Sequence, residues 1–263
     1  MKLFIAGRGV PSKDIYKFRK KQQEAGKEIA FLHSYLEIKN GKYDLLTKYL
    51  SPENQFLDSG AFTAFTQGKI INIDDYARMI KESKALNYAN LDVIGDYKAT
   101  SKNQDYLESK GLSPIATFHT NSPIEELEKM LDKYEYIALG GLVPLAMQKK
   151  KLIAWLDYCY SRITKRKKLV KTHLFGMNSL SIWERYPCYS ADATSWVSGS
   201  KFRRIIFFNG KRFKTHHKNT ETGKSHQVWN GNYIDLNLSN IIEYQKGADY
   251  ITKLWESRGI KWD

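Results

Sequence analysis

The sequence predicts an α/β fold, a (β/α)8 barrel of the TIM type. Three observations lead there. Eight short β-rich runs alternate with polar, helix-compatible stretches, an alternation that implies a parallel sheet. Eight such strands imply closure into a barrel, whereas a doubly wound open sheet is the alternative with the same alternation. The chain, 263 residues with 42% hydrophobic content, is long enough to bury such a core as one domain, 1–263. No internal repeat, low-complexity tract or linker divides it.

The elements follow in order. LFIAG (3–7) precedes a helix at 12–25, and EIAFLH (28–33) precedes one at 44–50. QFLDS (55–59) is followed by a helix at 73–86, with Asn72 before it as an N-cap. NLDVIG (90–95) leads to 101–110. PIATFH (114–119) leads to 123–133, where Ser122 stands as the cap, Pro123 opens the helix and Glu125 and Glu126 fill the first turn. YIALGG (136–141) leads to 145–164, LVKTHLFG (169–176) to 179–185, and CYSADA (188–193) is the eighth strand. After Trp196 the pattern changes. RRIIFFNGKRFKTHH reads as a hairpin with Asn209-Gly210 as a two-residue type I′ turn, inside an insertion spanning about 197–232. A last helix at 239–258 presents Ile242, Tyr250 and Leu254 and suits the eighth barrel helix.

Charge narrows the partners. A formal charge of +14 suggests a polyanion, nucleic acid before membrane, because no basic amphipathic stretch stands out. No apolar run approaches the ~18 residues of a membrane helix. Cys159 and Cys188 lie in unrelated contexts, so neither a disulfide framework nor a zinc ribbon is available. Met1 leads at once into KLFIAG rather than a signal peptide's long apolar core, and the protein is expected in the cytoplasm of a bacterial or phage-infected cell. His216, His217 and His226 sit in a basic segment without cysteine or clustered acids, so no metal and no cofactor is expected.

In a parallel barrel the C-terminal strand ends meet on one face. The residues predicted there are His33 and Ser34, Asp58-Ser59-Gly60, Asp92 and Asp96, His119, Gly140-Gly141, Gly176 with Asn178, and Asp192. Two carboxylates across a glycosidic bond can divide labour as nucleophile and acid/base. A carboxylate also accepts from the donor edge of guanine or of cytosine. Taken singly, each feature has a plainer reading. A strand-end Asp is also a helix N-cap, Gly140-Gly141 a tight turn, and His33 and His119 read as pocket-wall or core histidines. Their joint occurrence carries the site.

Five short motifs in order give a resemblance covering about 50–200. LDSGAF (57–62), LDVIGD (91–96), LGGLVPL (139–145), FGMNS (175–179) and DATSW (192–196) resemble the motifs of the tRNA-guanine transglycosylase superfamily, especially its archaeosine-type members. The resemblance implies that Asp192 is the nucleophile attacking C1′ of the sugar and that Asp58 helps position the base and handle protons. It implies a base pocket from Asp92, less directly Asp96, with Ser59, Gly60, Phe62, Gly140, Gly141, Leu142 and Gly176. The family's zinc site and C-terminal RNA-binding domain have no counterpart here. In their place lies 201–218, with Lys201, Arg203, Arg204, Lys211, Arg212 and Lys214 interleaved with Phe202, Phe207, Phe208 and Phe213 and no acid. Such interleaving suits a nucleic-acid surface. A second basic run lies at 162–171 and is also compatible with a solvated helix end.

Phage-associated relatives exchange guanine for 7-deazaguanines in DNA without full tRNA-binding appendages, so the resemblance implies DNA as partner, tRNA less so, with a free nucleobase such as a 7-deazaguanine as co-substrate. The expected activity is base exchange. Hydrolytic excision of a modified base at the same site, as in anti-phage defence, is the alternative. A non-catalytic nucleic-acid-binding barrel is the rival of a different class.

Overall fold

The apolar runs become strands wherever they can pair on both sides. In the computed structural model they are β1 (Lys2–Ala6), β2 (Ala30–Ser34), β3 (Gln55–Asp58), β4 (Asn87–Tyr88), β5 (Ala116–His119), β6 (Tyr136–Gly140), β7 (Lys171–Leu174) and β8 (Ser190–Ala193). The structure describes all residues except 8, 9, 39–46, 48, 203, 218–231 and 263, with 200, 216 and 217 described in backbone only. The eight strands form one parallel sheet in the order β4-β3-β2-β1-β8-β7-β6-β5. The sheet curls until its edges approach. Ala89 and Ile115 form a parallel bridge there, and the Ile115 N–H donates to the Tyr88 carbonyl at 2.8 Å. Read across that junction, the strands run in sequence order, which fits a TIM-like barrel.

Strand residues pointing inward form a small apolar cluster of Phe4, Ala6, Ala30, Leu32, Phe56, Ala89, Ile115 and Ala138. Phe4 meets Phe56 edge-on at 5.2 Å between centroids, an arrangement aromatic quadrupoles favour. The helices are α1 (Ser12–Glu24), α2 (Tyr35–Ile38), α3 (Ala61–Thr66), α4 (Ile73–Ser83), α5 (Tyr97–Ser109), α6 (Ile124–Lys133), α7 (Lys149–Ile163), α8 (Leu180–Arg185), α9 (Ser198–Phe202) and α10 (Tyr233–Ser257), of which α9 packs on α10 rather than on the sheet. Among the described residues no helix is long and apolar enough to cross a membrane.

Several boundaries differ from those expected, each for a local reason. The 90–95 run is not a strand. Asn90 turns the chain out of the sheet, its side-chain amide donating to the Thr100 carbonyl at 2.9 Å and its oxygen accepting from the Leu91 N–H at 2.8 Å. Thr100 Oγ1 then accepts from the Val93 N–H, and Asn103 donates to the Leu91 carbonyl. α5 starts at Tyr97 because Asp96 caps it, accepting from the Ala99 N–H at 3.0 Å. Asn72 caps α4 as expected, but Ser122 does not cap α6; Pro123 takes that position without a side-chain bond. α10 begins at Tyr233, earlier than expected, on the cap of Asn232. The helix expected at 44–50 falls largely outside the described residues.

Between β8 and α10 an antiparallel pair, β9 (Arg204–Phe208) and β10 (Phe213–His217), leaves the barrel. Phe208 pairs with Phe213, and the Asn209 N–H donates to the Arg212 carbonyl at 3.2 Å. The turn is therefore centred on Gly210-Lys211, one residue later than expected. The Asn209 side chain accounts for the shift by accepting from the N–H groups of Lys211 and Arg212.

Asn240 of α10, fully buried, fastens this pair to the barrel. It accepts from the Ile206 N–H at 2.9 Å and donates to the carbonyls of Trp196 at 3.0 Å and Arg204 at 3.3 Å. Replacing it by Ala leaves buried backbone groups unpaired. We expect Asn240→Ala to destabilise the protein by about 2–3 kcal/mol in urea unfolding. A loss under about 0.5 kcal/mol would mean that the hairpin anchors elsewhere.

Candidate active site

A cavity of about 650 Å³ opens where the C-terminal strand ends converge, and Asp58, Asp92 and Asp192 all line it. Each carboxylate is held differently.

Asp58 ends β3. One of its oxygens accepts from the Gly60 N–H at 2.9 Å. This tight return needs Gly60 at φ +77°, and a Cβ there would stand 2.6 Å from Ser34 Oγ, so only glycine fits without movement. Burial pushes the Asp58 carboxyl up to about 7. The Gly60 bond opposes that rise, and the fields of Asp192, Asp92 and Glu37 add to it.

Asp92 lies on the irregular segment after β4. Its Oδ2 is 3.2 Å from His119 Nε2, while its buried Oδ1 has no hydrogen-bond partner among the described residues. Burial disfavours charge on His119, but the hydrogen bond and field of Asp92 outweigh it and raise the imidazole's pKa. The ring lies close to the β6 end: a Cβ on Gly140 would meet His119 Cδ2 at 2.7 Å and Thr117 Cγ2 at 2.8 Å. Gly140 therefore gives His119 the room to reach Asp92.

Asp192 is in β8, opposite Phe4 of β1. Its Oδ1 accepts from the Gly176 N–H at 2.6 Å and lies 3.4 Å from His173 Nε2. The latter is a long contact, close enough for electrostatic coupling and short of a well-formed hydrogen bond. His173 Nδ1 is 2.7 Å from Ser190 Oγ, which is 2.6 Å from the Tyr136 hydroxyl. Burial raises the Tyr136 pKa, so the phenol remains a donor. Donation from Tyr136 to Ser190 and from Ser190 to His173 leaves the His173 Nε2 facing Asp192 without a well-formed hydrogen bond among the described residues.

Of the expected site residues, Ser59, Phe62, Gly140, Gly141, Leu142 and Gly176 line the cavity with the three aspartates. Gly60 stands behind Asp58. Asp96 is exposed at the start of α5, where it serves as the cap and is not part of the cavity wall. His33 faces the buried Arg19, at 3.3 Å, and lies off the cavity wall. His173 was not among the expected residues. A usable signal existed: Ser190 and Asp192 are two apart on one strand and so share a face, within reach of one residue of a neighbouring strand.

The basic segments separate. In the 162–171 run, Arg162 and Arg166 pair with Glu128, Arg166 also with Asp132, and Lys168 with Glu135. Lys201, Arg204, Lys211, Arg212 and Lys214 are exposed and pair with no acid among the described residues. Arg203 and His226, and the side chains of His216 and His217, lie outside the described residues.

In comparisons with known proteins the chain matches no family model and no curated protein.

Asp58 supplies a stability test with a defined sign. Its carboxyl titrates near 3.9 when unfolded and about 7 when folded. Between those values the folded state holds the extra proton, so stability falls as pH rises, and the cost is fully present above 7. Asp58→Asn removes that cost and keeps an acceptor for Gly60. We expect the variant to be more stable than the parent at pH 8, by up to about 4 kcal/mol, with the difference vanishing towards pH 4. A pH-independent difference in chemical unfolding would contradict the raised value.

Proposed function

We propose that the protein is an enzyme that cleaves the N-glycosidic bond of a flipped-out nucleotide in DNA and exchanges guanine for a 7-deazaguanine. The observation that carries this reading is the pair Asp58 and Asp192 in one cavity, with environments that separate their roles. One carboxyl is poised to hold a proton near neutrality; the other is oriented by a backbone N–H and a histidine. Such a pair is what acid-assisted displacement at a sugar carbon requires.

The chemistry then runs in two halves. Duplex DNA gives up the target nucleotide to the cavity, at the cost of unstacking it. Asp192 attacks C1′ as the bond to the base breaks, the departing base keeps the bonding electrons, and Asp58 gives it a proton. The sugar is now esterified to Asp192. An incoming base loses its proton to the Asp58 carboxylate and attacks C1′, releasing Asp192 and restoring both groups. Asp92 supports base reading, since its buried Oδ1 is an acceptor without a partner among the described residues while His119 secures the other oxygen. Phe62, half exposed at the mouth, offers a face for stacking. The free cations of the segment 201–214 would track the phosphate backbone. The motif resemblance to the tRNA-guanine transglycosylases agrees with these roles, and the preference for DNA over tRNA rests on that resemblance.

Mass spectrometry of free and incorporated bases tests the reading. Incubation with duplex DNA and a labelled 7-deazaguanine should release guanine and incorporate label in equal amounts, and Asp192→Asn should lower release roughly a thousandfold while leaving DNA affinity within about threefold. Release without incorporation would mean that water attacks the intermediate, making the protein a DNA glycosylase. No release from any DNA or tRNA would leave a non-catalytic binder.

A further inference from the structure

Next to the main cavity lies a second one of about 350 Å³, and Thr194 and Ser195 line both. The partition between them is held by Asn178, whose side-chain amide donates to Ser195 Oγ. The second cavity is chemically unlike the first. Among the described residues no carboxylate lines it. Its charged members are Lys201 and Arg204, neither of which pairs with an acid among the described residues. Ser198 also lines it; the residue is only 9% exposed, and its hydroxyl oxygen has no hydrogen-bond partner among the described residues.

A buried hydroxyl without a partner is costly and becomes satisfied when a ligand reaches it. Two cations converge on the same space, with Thr215 as a further hydroxyl and exposed Phe202 at the rim, its ring 5.2 Å from the Arg204 guanidinium. Hydroxyl donors with two cations and no acid suit a compact oxyanion, and phosphate is the one that such donors hold by charge-assisted bonds. A metal ion would find no anionic ligand among these lining residues, and a neutral base would gain nothing from two positive charges.

We propose that this second cavity is a phosphate subsite, which holds the backbone phosphate flanking the nucleotide whose base enters the main cavity. The assignment rests on the nucleic-acid reading above and adds to it. It explains how a site built for one base would select a nucleotide within a polymer over a free nucleoside, because Thr194 and Ser195 line both cavities.

Equilibrium binding of a guanine-centred deoxytrinucleotide, of the same trinucleotide with uncharged methylphosphonate linkages, and of deoxyguanosine tests this. The parent protein should bind the phosphodiester form about tenfold or more tighter than the methylphosphonate. Ser198→Ala and the double variant Lys201→Gln/Arg204→Gln should each reduce that preference to about threefold or less, with unfolding midpoints unchanged. Should the double variant fail to fold, Ser198→Ala carries the test alone. A preference retained in full by the folded variants would overturn the subsite and leave the base-processing reading standing. Failure of the parent protein to bind all three ligands would overturn both.

Discussion

Four carboxylates line one cavity, Glu37 exposed and three aspartates set deeper, and much of the local architecture compensates the crowding of the aspartates. Asp58, Asp92 and Asp192 cannot all be charged there without partners, so each has a different one: the Gly60 N–H, His119, and the Gly176 N–H with His173 nearby. That compensation is unequal, so the three carboxyl groups differ in their surroundings. Where it is weakest, at Asp58, burial wins and the proton stays on to about 7. At Asp192 a peptide N–H, that of Gly176, fixes the orientation of the carboxylate. Identical functional groups thus acquire different roles from their surroundings.

The parallel barrel makes that convergence possible. Pairing β8 with β1 sets Asp192 opposite Phe4, and Trp196 donates to the Ala6 carbonyl at 2.7 Å, holding the chain beyond β8 over the β1 end. The same segment continues into Ser198 and Lys201 and then into the hairpin. The strand end bearing Asp192, the second cavity and the cationic surface are therefore consecutive in the chain as well as adjacent in space. Asn240 holds this continuity from behind, bonding both the Trp196 carbonyl and the start of β9.

The barrel was legible in the sequence because most of its strands are apolar runs flanked by polar helices, a signal that survives errors at the boundaries. The strand ends bearing Asp58, Gly140 and Asp192 were legible for the same reason. What escaped was decided by side chains bonding to backbone. NLDVIG is as apolar as the true strands, yet Asn90, Thr100 and Asn103 supply local hydrogen bonds that replace a sheet ladder, and the paired residues are the less apolar Asn87 and Tyr88. Asn209 moved the hairpin turn by one residue in the same way. Asp96 shared a motif with Asp92 but serves as a helix cap, the plainer reading of a strand-end aspartate. His173 was hidden because its role depends on its pairing with Ser190 across two strands, and register between strands is not written in either strand alone.

The central claim is that Asp192 becomes covalently bound to the sugar. The most direct measurement is intact-protein mass spectrometry on acid-quenched reactions with DNA that lack an incoming base, followed by peptide mapping. A DNA-linked species carried on the 190–196 peptide, lost in Asp192→Asn, is the predicted result. Base release with no adduct at any quench time, or an adduct on another residue, would contradict it.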